Sequence, residues 1–147
     1  MPPDLSTQNL ADRAAIHDVM MRYARGIDRR DYALVRSCFT PDAHTDYGWI
    51  YQGPLDGLIA RIESGLRGFA MTMHFMGNEL IEVEGDRASM ETYCVAYHQP
   101  AAPDRGKDLM IMGLRYLDTL VRTPGGWRIS HRELKQEWRR DDQAVLA

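Results

Sequence analysis

The sequence is short of several things, and each shortage removes a class of protein. It holds only two cysteines in 147 residues, Cys38 and Cys94, with neither the paired spacing of a zinc site nor the density of a disulfide scaffold. They read as buried free thiols in a reducing compartment. No apolar run approaches the roughly 20 residues that a membrane span needs. The opening "MPPDLSTQNL" lacks both the basic start and the apolar stretch of a secretory signal. The expectation is a cytoplasmic protein with no membrane partner. An excess of one charge is also missing: net charge is −3, acids and bases are interspersed, and no nucleic-acid-binding face is expected. Internal repeats and low-complexity segments are absent too.

What remains is an ordinary globular composition, 44% hydrophobic and 27% charged. The length suits a single domain over 1–147 with its own core. From Asn9 to about Ile27, Ile16, Met20, Tyr23 and Ile27 recur at helical intervals, with Gly26 expected to fray the end. Asp31 caps a short second helix through "YALVRSCF", which Pro41 breaks. "AHTDYGWIYQG" alternates as a strand, and "PLDGLIARIESGLRGF" predicts a third helix with Pro54 near its first turn. Strands follow over 71–84, 87–99, 108–122 and "WRISHRELKQEW", separated by "EGDR", "QPAAPDRGK" and "TPGG". Helices followed by long antiparallel strands make an α+β fold. Such strands curl, so the expected shape is a cone-shaped barrel of curved, mostly antiparallel sheet closed by the N-terminal helices, with a pocket inside.

Strand alternation puts Thr72, His74, Met76, Asn78 and Leu80 on one side of the "MTMHFMGNEL" strand. Neither side is clearly solvent, so His74 is expected in a core or a pocket. His98 in "VAYHQP" shares its side with Met90, Thr92, Cys94 and Ala96, a row suited to lining a cavity. Tyr23 belongs to the apolar stripe of the first helix. Asp28 lies about 140° away around that helix, so the two converge only if the helix end unwinds or the pocket straddles it. Tyr47 fits a packing aromatic as well as a site residue. His17 and His44 read as surface groups, and periodicity does not place His131.

The segments "GIDRRDYALVRSCFTPDAHTDYG", "TMHFMGNELIEVEGDRA", "AYHQP" and "RYLDTLVRTPGGWRISHREL", in that order, resemble the SnoaL-like group of the nuclear transport factor 2-like superfamily. The resemblance runs roughly from residue 9 to residue 138. Within that group the chain is similar to scytalone dehydratase at Asp28, Tyr47, His74 and His98, and to bile-acid 7α-dehydratase at Tyr23, Asp28 and His74. Asp28 and His74 also match the pair used by hexachlorocyclohexane dehydrochlorinase. There are departures from scytalone dehydratase. Ile27 stands where that enzyme has a second tyrosine, and Tyr116 falls at or near the place of its strand asparagine. The resemblance therefore implies shared Asp–His chemistry on a different molecule.

It implies that His74 is a general base oriented by Asp28, and that Tyr23, Tyr47 and His98 supply donors for the developing charge. Met76, Asn78, Trp49 and Tyr116 are the expected substrate contacts. The implied reaction is elimination of water from an apolar, aromatic or polycyclic hydroxylated molecule, with no cofactor and no metal. Retro-aldol loss of a small aldehyde and double-bond isomerisation begin with the same proton transfer and stay open. A non-catalytic binding protein, such as a dioxygenase β subunit, needs the cone but not the Asp–His pair. Two histidines and an aspartate are also a non-haem iron ligand set, an alternative that metal analysis would decide. The related dehydratases imply a homotrimer, with dimers as the other superfamily habit.

Overall fold

Ser6 starts the first helix by accepting a hydrogen bond from the Asn9 N–H, as an N-cap serine does. That helix, α1 (Thr7–Arg29), buries Ile16, Val19, Met20, Tyr23 and Ile27 along one stripe. Full burial of an aliphatic or aromatic side chain of this size contributes about 1.5–3 kcal/mol. The structure, a computed structural model, describes residues 2–101 and 109–142.

Gly26 does not fray α1, which continues through Arg29. A Cβ at position 26 would stand 2.7 Å from a Val35 methyl carbon, so the glycine admits the close approach of α2 (Tyr32–Ser37). Asp31 caps α2 through the Leu34 N–H, as expected from sequence. This second helix ends before Phe39, because β1 (Phe39–Asp46) has already begun there. Pro41 lies inside β1, where the pairing register is irregular. The predicted strand over "AHTDYGWIYQG" is in fact a hairpin, in which β1 turns at 47–51 into the short β2 (Gln52–Pro54). Pro54 precedes α3 (Leu55–Leu66) as its N-cap.

Four long strands complete the chain: β3 (Phe69–Glu84), β4 (Arg87–Pro100), β5 (Leu109–Thr123) and β6 (Gly126–Asp142). The sheet runs β2-β1-β6-β5-β4-β3, antiparallel except where β1 joins β6. It is curved but not closed by hydrogen bonds, since β2 and β3 remain edges. The helices cover the inner face: α1 lies along β3 and against β6, and α3 lies against β1. The α+β cone expected from sequence is thus the observed architecture.

Two irregularities change which side chains point inward. Between Met76 and Glu79 the β3–β4 register shifts. Thr72 is therefore buried before the shift and Ile81 after it, while Asn78 and Leu80 lie exposed. The expected single face from Thr72 to Leu80 ends at Met76. On β6 the register shifts between the pairs Thr119–His131 and Leu120–Ile129. Ile129 and Arg132 both point inward as a result, although simple alternation would turn position 132 out. His131 is exposed and stacks on His44 at 5.6 Å, ring to ring.

Candidate active site

The inner face of the cone opens on a cavity of about 320 Å³. His74 enters it from β3. The ring Nδ1 lies 2.7 Å from Asp28 Oδ1, and the His74 backbone N–H donates to Asp28 Oδ2 at 2.9 Å. Asp28 stays on an intact helix and sits behind the imidazole, without lining the cavity. The helix neither unwinds nor needs to, because the carboxylate reaches β3 laterally while Tyr23 reaches the cavity from its own side.

Thr72 donates its hydroxyl to Asp28 Oδ1 at 3.1 Å and accepts from Arg30 Nη1 at 2.7 Å. A guanidinium has only donors, so Arg30 directs the single Thr72 proton at the carboxylate. Arg30 adopts the left-handed conformation (φ 58°) at the end of α1. Burial works against the Asp28 charge. The His74 ring, its backbone N–H and the Thr72 hydroxyl together prevail and hold Asp28 below its usual carboxylate value. The carboxylate is therefore ionised at neutral pH. With Nδ1 on Asp28, Nε2 is the imidazole nitrogen left for the cavity.

His98 arrives from β4 on the inward row expected for it. Its ring meets His74 edge-on at 5.8 Å and Phe69 at 5.1 Å. Burial first, then the neighbouring His74, pushes its pKa down to about 4. His98 is thus neutral at pH 7, although the neighbouring Met110 and Ala96 backbones partly oppose the shift.

The opposite wall is phenolic. Tyr23 and Tyr47 share a hydrogen bond between hydroxyls at 2.8 Å, and Tyr116 meets Tyr23 edge-on at 5.6 Å. All three line the cavity, and burial raises the pKa of each. They are neutral phenols at working pH, able to donate rather than to act as bases.

Behind them lies a residue that sequence reasoning missed. Arg132 is 0% exposed, forks onto Asp118 at 2.7 and 2.8 Å, and covers the rings of Tyr23 and Tyr116 at 4.2 Å each. Arg132 also favours ionisation of Tyr47, against the larger opposing effect of burial. The β6 register shift hid it. The available signal was Asp118, an acid in the apolar strand "RYLDTLV" on the same alternation as Tyr116, which demands a buried cation.

The expected substrate contacts divide. Tyr116 lines the cavity, and Trp49 stands at its rim, 77% exposed. Met76 packs against the core without lining the cavity. Asn78 lies outside, in a groove on the outer face beside Phe75 and Tyr93, because of the β3 irregularity. Asp28, His74 and His98 do not form a ligand cluster; among the described residues no three His, Cys, Asp or Glu side chains are grouped as metal ligands. Cys38 and Cys94 are buried free thiols. No helix among the described residues is long and apolar enough to cross a membrane.

Comparisons with known proteins agree with this geometry at the level of fold and family. The profile of the SnoaL-like domain matches residues 8–133. Uncharacterized proteins of Mycobacterium tuberculosis and Mycobacterium bovis are 36% identical over 132 residues, covering 87% of this chain and 87% of theirs. The Kfla4162 protein of Kribbella flavida superposes with a TM-score of 0.83 at 25% identity, over 90% of this chain and 95% of that one. A scytalone dehydratase-like protein of Novosphingobium aromaticivorans gives 0.82 at 23% identity, over 95% and 93% of the two chains. The LinA-type3 hexachlorocyclohexane dehydrochlorinase of Novosphingobium barchaimii gives 0.80 at 20%, over 95% and 97%. Those last two likenesses concern the fold. With a domain profile spanning most of its length, the chain belongs to the SnoaL-like family of the nuclear transport factor 2-like superfamily.

Proposed function

We propose that this chain is a cofactor-independent lyase of the dehydratase type, with His74 as base and an apolar, hydroxylated, aromatic or polycyclic molecule as substrate. The observation that carries the reading is the Asp28–His74 pair: one ring nitrogen bound to a half-buried carboxylate, the other left to an apolar cavity. In this reading Nε2 takes a carbon-bound proton. The electrons of the broken C–H bond form the new double bond, directly or through an enolate. Asp28 holds Nδ1–H and stabilises the imidazolium that forms. The C–O bond then breaks, and the departing hydroxyl collects a proton from the Tyr23–Tyr47 pair and leaves as water. Arg132, beneath those phenols, stabilises the phenolate that this donation leaves. Proton return from His74 to the tyrosine through solvent closes the cycle. Positioned acid–base catalysis of this kind is worth about 10² to 10⁴ in rate. His98, neutral and in the cavity wall, serves as a polar contact to the substrate.

The decisive experiment follows solvent deuterium exchange and loss of mass in a panel of hydroxylated aromatic and steroid-like ketones. Wild type should exchange or eliminate, and folded His74→Ala and Asp28→Asn should not. Loss of formaldehyde, or exchange without loss, would transfer the reading to aldol cleavage or isomerisation. Tight binding with neither exchange nor transformation would reject catalysis.

The chain is further proposed to act as one domain, in the cytoplasm, and as a homo-oligomer, a trimer on the pattern of the dehydratases it resembles. Support for association is the outer sheet face, where Met73, Phe75, Tyr93 and Trp138 lie exposed.

A further inference from the structure

The rim of the cavity differs in character from its interior. Ile27, Leu66, Phe69, Met112 and Leu114 make the inner wall apolar, whereas the exposed rim carries Arg61 of α3 and Arg139 of β6 beside Trp49. Arg139 is engaged by Asp141 at 3.2 Å. Arg61 has no hydrogen bond or ion pair among the described residues. The acids of its own helix are already taken, Asp56 by Arg36 and Glu63 by Arg67.

Position 65, one turn later, is a glycine. A Cβ there would stand 3.1 Å from Arg61 Nη1, tighter than ordinary contact. Gly65 also lines the cavity. The absent side chain is what lets the Arg61 guanidinium lie over position 65, at the lip. An exposed guanidinium at the lip is hydrated when the cavity is empty, and a ligand carboxylate there would take the place of that water. A planar guanidinium matches a carboxylate with two parallel hydrogen bonds, more strongly the drier the setting.

We propose that the substrate is an apolar hydroxy acid, whose carboxylate docks on Arg61, with Arg139 as a second cation, while its ring system lies inward toward His74. This rests on the cavity being the lyase site and names the substrate class for it. The carboxylate anchors a molecule at one end and presents a carbon remote from the charge to the base. Remote binding of this kind fixes the reacting carbon.

The test uses an isosteric pair, 2-naphthylacetate and 2-naphthylacetamide, titrated calorimetrically into wild type, Arg61→Gln, Arg139→Gln and the double variant. Wild type should prefer the acid by about tenfold, the worth of one partly exposed charge-assisted contact. Arg61→Gln should cut that preference to about twofold while amide affinity holds, and 0.5 M salt should do the same to wild type. Equal affinity of wild type for acid and amide overturns the proposal, as does a preference that survives removal of both arginines. Failure of both probes to bind at millimolar concentration overturns it as well. The lyase reading is judged separately, by deuterium exchange into neutral ketones with wild type. Exchange without charge preference rejects the anion site alone, and charge preference without exchange rejects the lyase alone.

Discussion

Acidification should destabilise this protein before its carboxylates titrate, and His98 should be the cause. The imidazole has an ordinary value of 6.5 and is pushed down to about 4 by burial and by His74. Between those values the unfolded chain binds a proton that the folded chain refuses, so stability rises with pH through the window and falls as pH drops through it. At pH 7 almost nothing is lost. At pH 5 the unfolded imidazole is nearly all protonated and the folded one nearly all neutral, which corresponds to about 2 kcal/mol. Asp12, held low by Arg122 against the opposing effect of burial, and Asp28, held low by the His74 and Thr72 hydrogen bonds, lose their contributions only below the ordinary value of 3.8. They lie beneath the window. Urea denaturation of wild type and His98→Gln at pH 7, 6 and 5 reads the difference directly. Wild type should lose about 2 kcal/mol relative to the variant between pH 7 and pH 5. Parallel losses in the two proteins would refute the reasoning and, with it, the picture of His98 as a neutral contact.

The Arg132–Asp118 pair is fully buried, so Asp118→Asn should cost about 3–5 kcal/mol by stranding the guanidinium, measured as a fall in urea midpoint. The volume-matched double variant Asp118→Leu with Arg132→Met should recover much of that stability yet not the elimination rate; recovery of both would make Arg132 purely structural. For the outer face, Phe75→Lys places a charge on an aromatic that is 67% exposed and should shift the mass in solution, by light scattering, from oligomer toward monomer. An unchanged mass would move the interface elsewhere.

How much of this was legible depended on whether local periodicity survived into the fold. His98 was readable because β4 keeps its alternation from Met90 to His98. His74 was readable as an inward residue for the same reason, and the family resemblance joined Asp28 to it. Rotation about the α1 axis argued against Tyr23 and Asp28 converging, since the angle between them is wide. The angle is real. A carboxylate that binds a backbone N–H of the edge strand β3 has no need to share the stripe that faces the cavity. Asn78 was misplaced and Arg132 overlooked for one reason: a single register shift reverses the face of every residue beyond it. Pro41 misled similarly, because it sits within β1 where its missing N–H is tolerated by irregular pairing.

The choice between an enzyme and a binding module turns on how polar groups are distributed in the cavity. A pocket evolved only to hold apolar ligands does best when its buried polar atoms are satisfied internally, because each unpaired one costs free energy. It does better still with no charges to satisfy, yet this cone keeps Asp28 and Arg132 behind its cavity walls. Asp28 is saturated: the His74 ring, the His74 N–H and Thr72 all hold it, and Arg30 fixes Thr72 in turn. Arg132 is held in the same way, by the Asp118 fork behind the tyrosines. Charges kept at a cavity by a dedicated, fully bonded supporting shell are the pattern expected of preorganised catalysis. An inert module of the same fold would need neither the saturated carboxylate nor a guanidinium buried under phenols. Their coexistence supports the proposal of proton transfer, rather than ligand storage, at the centre of this cone.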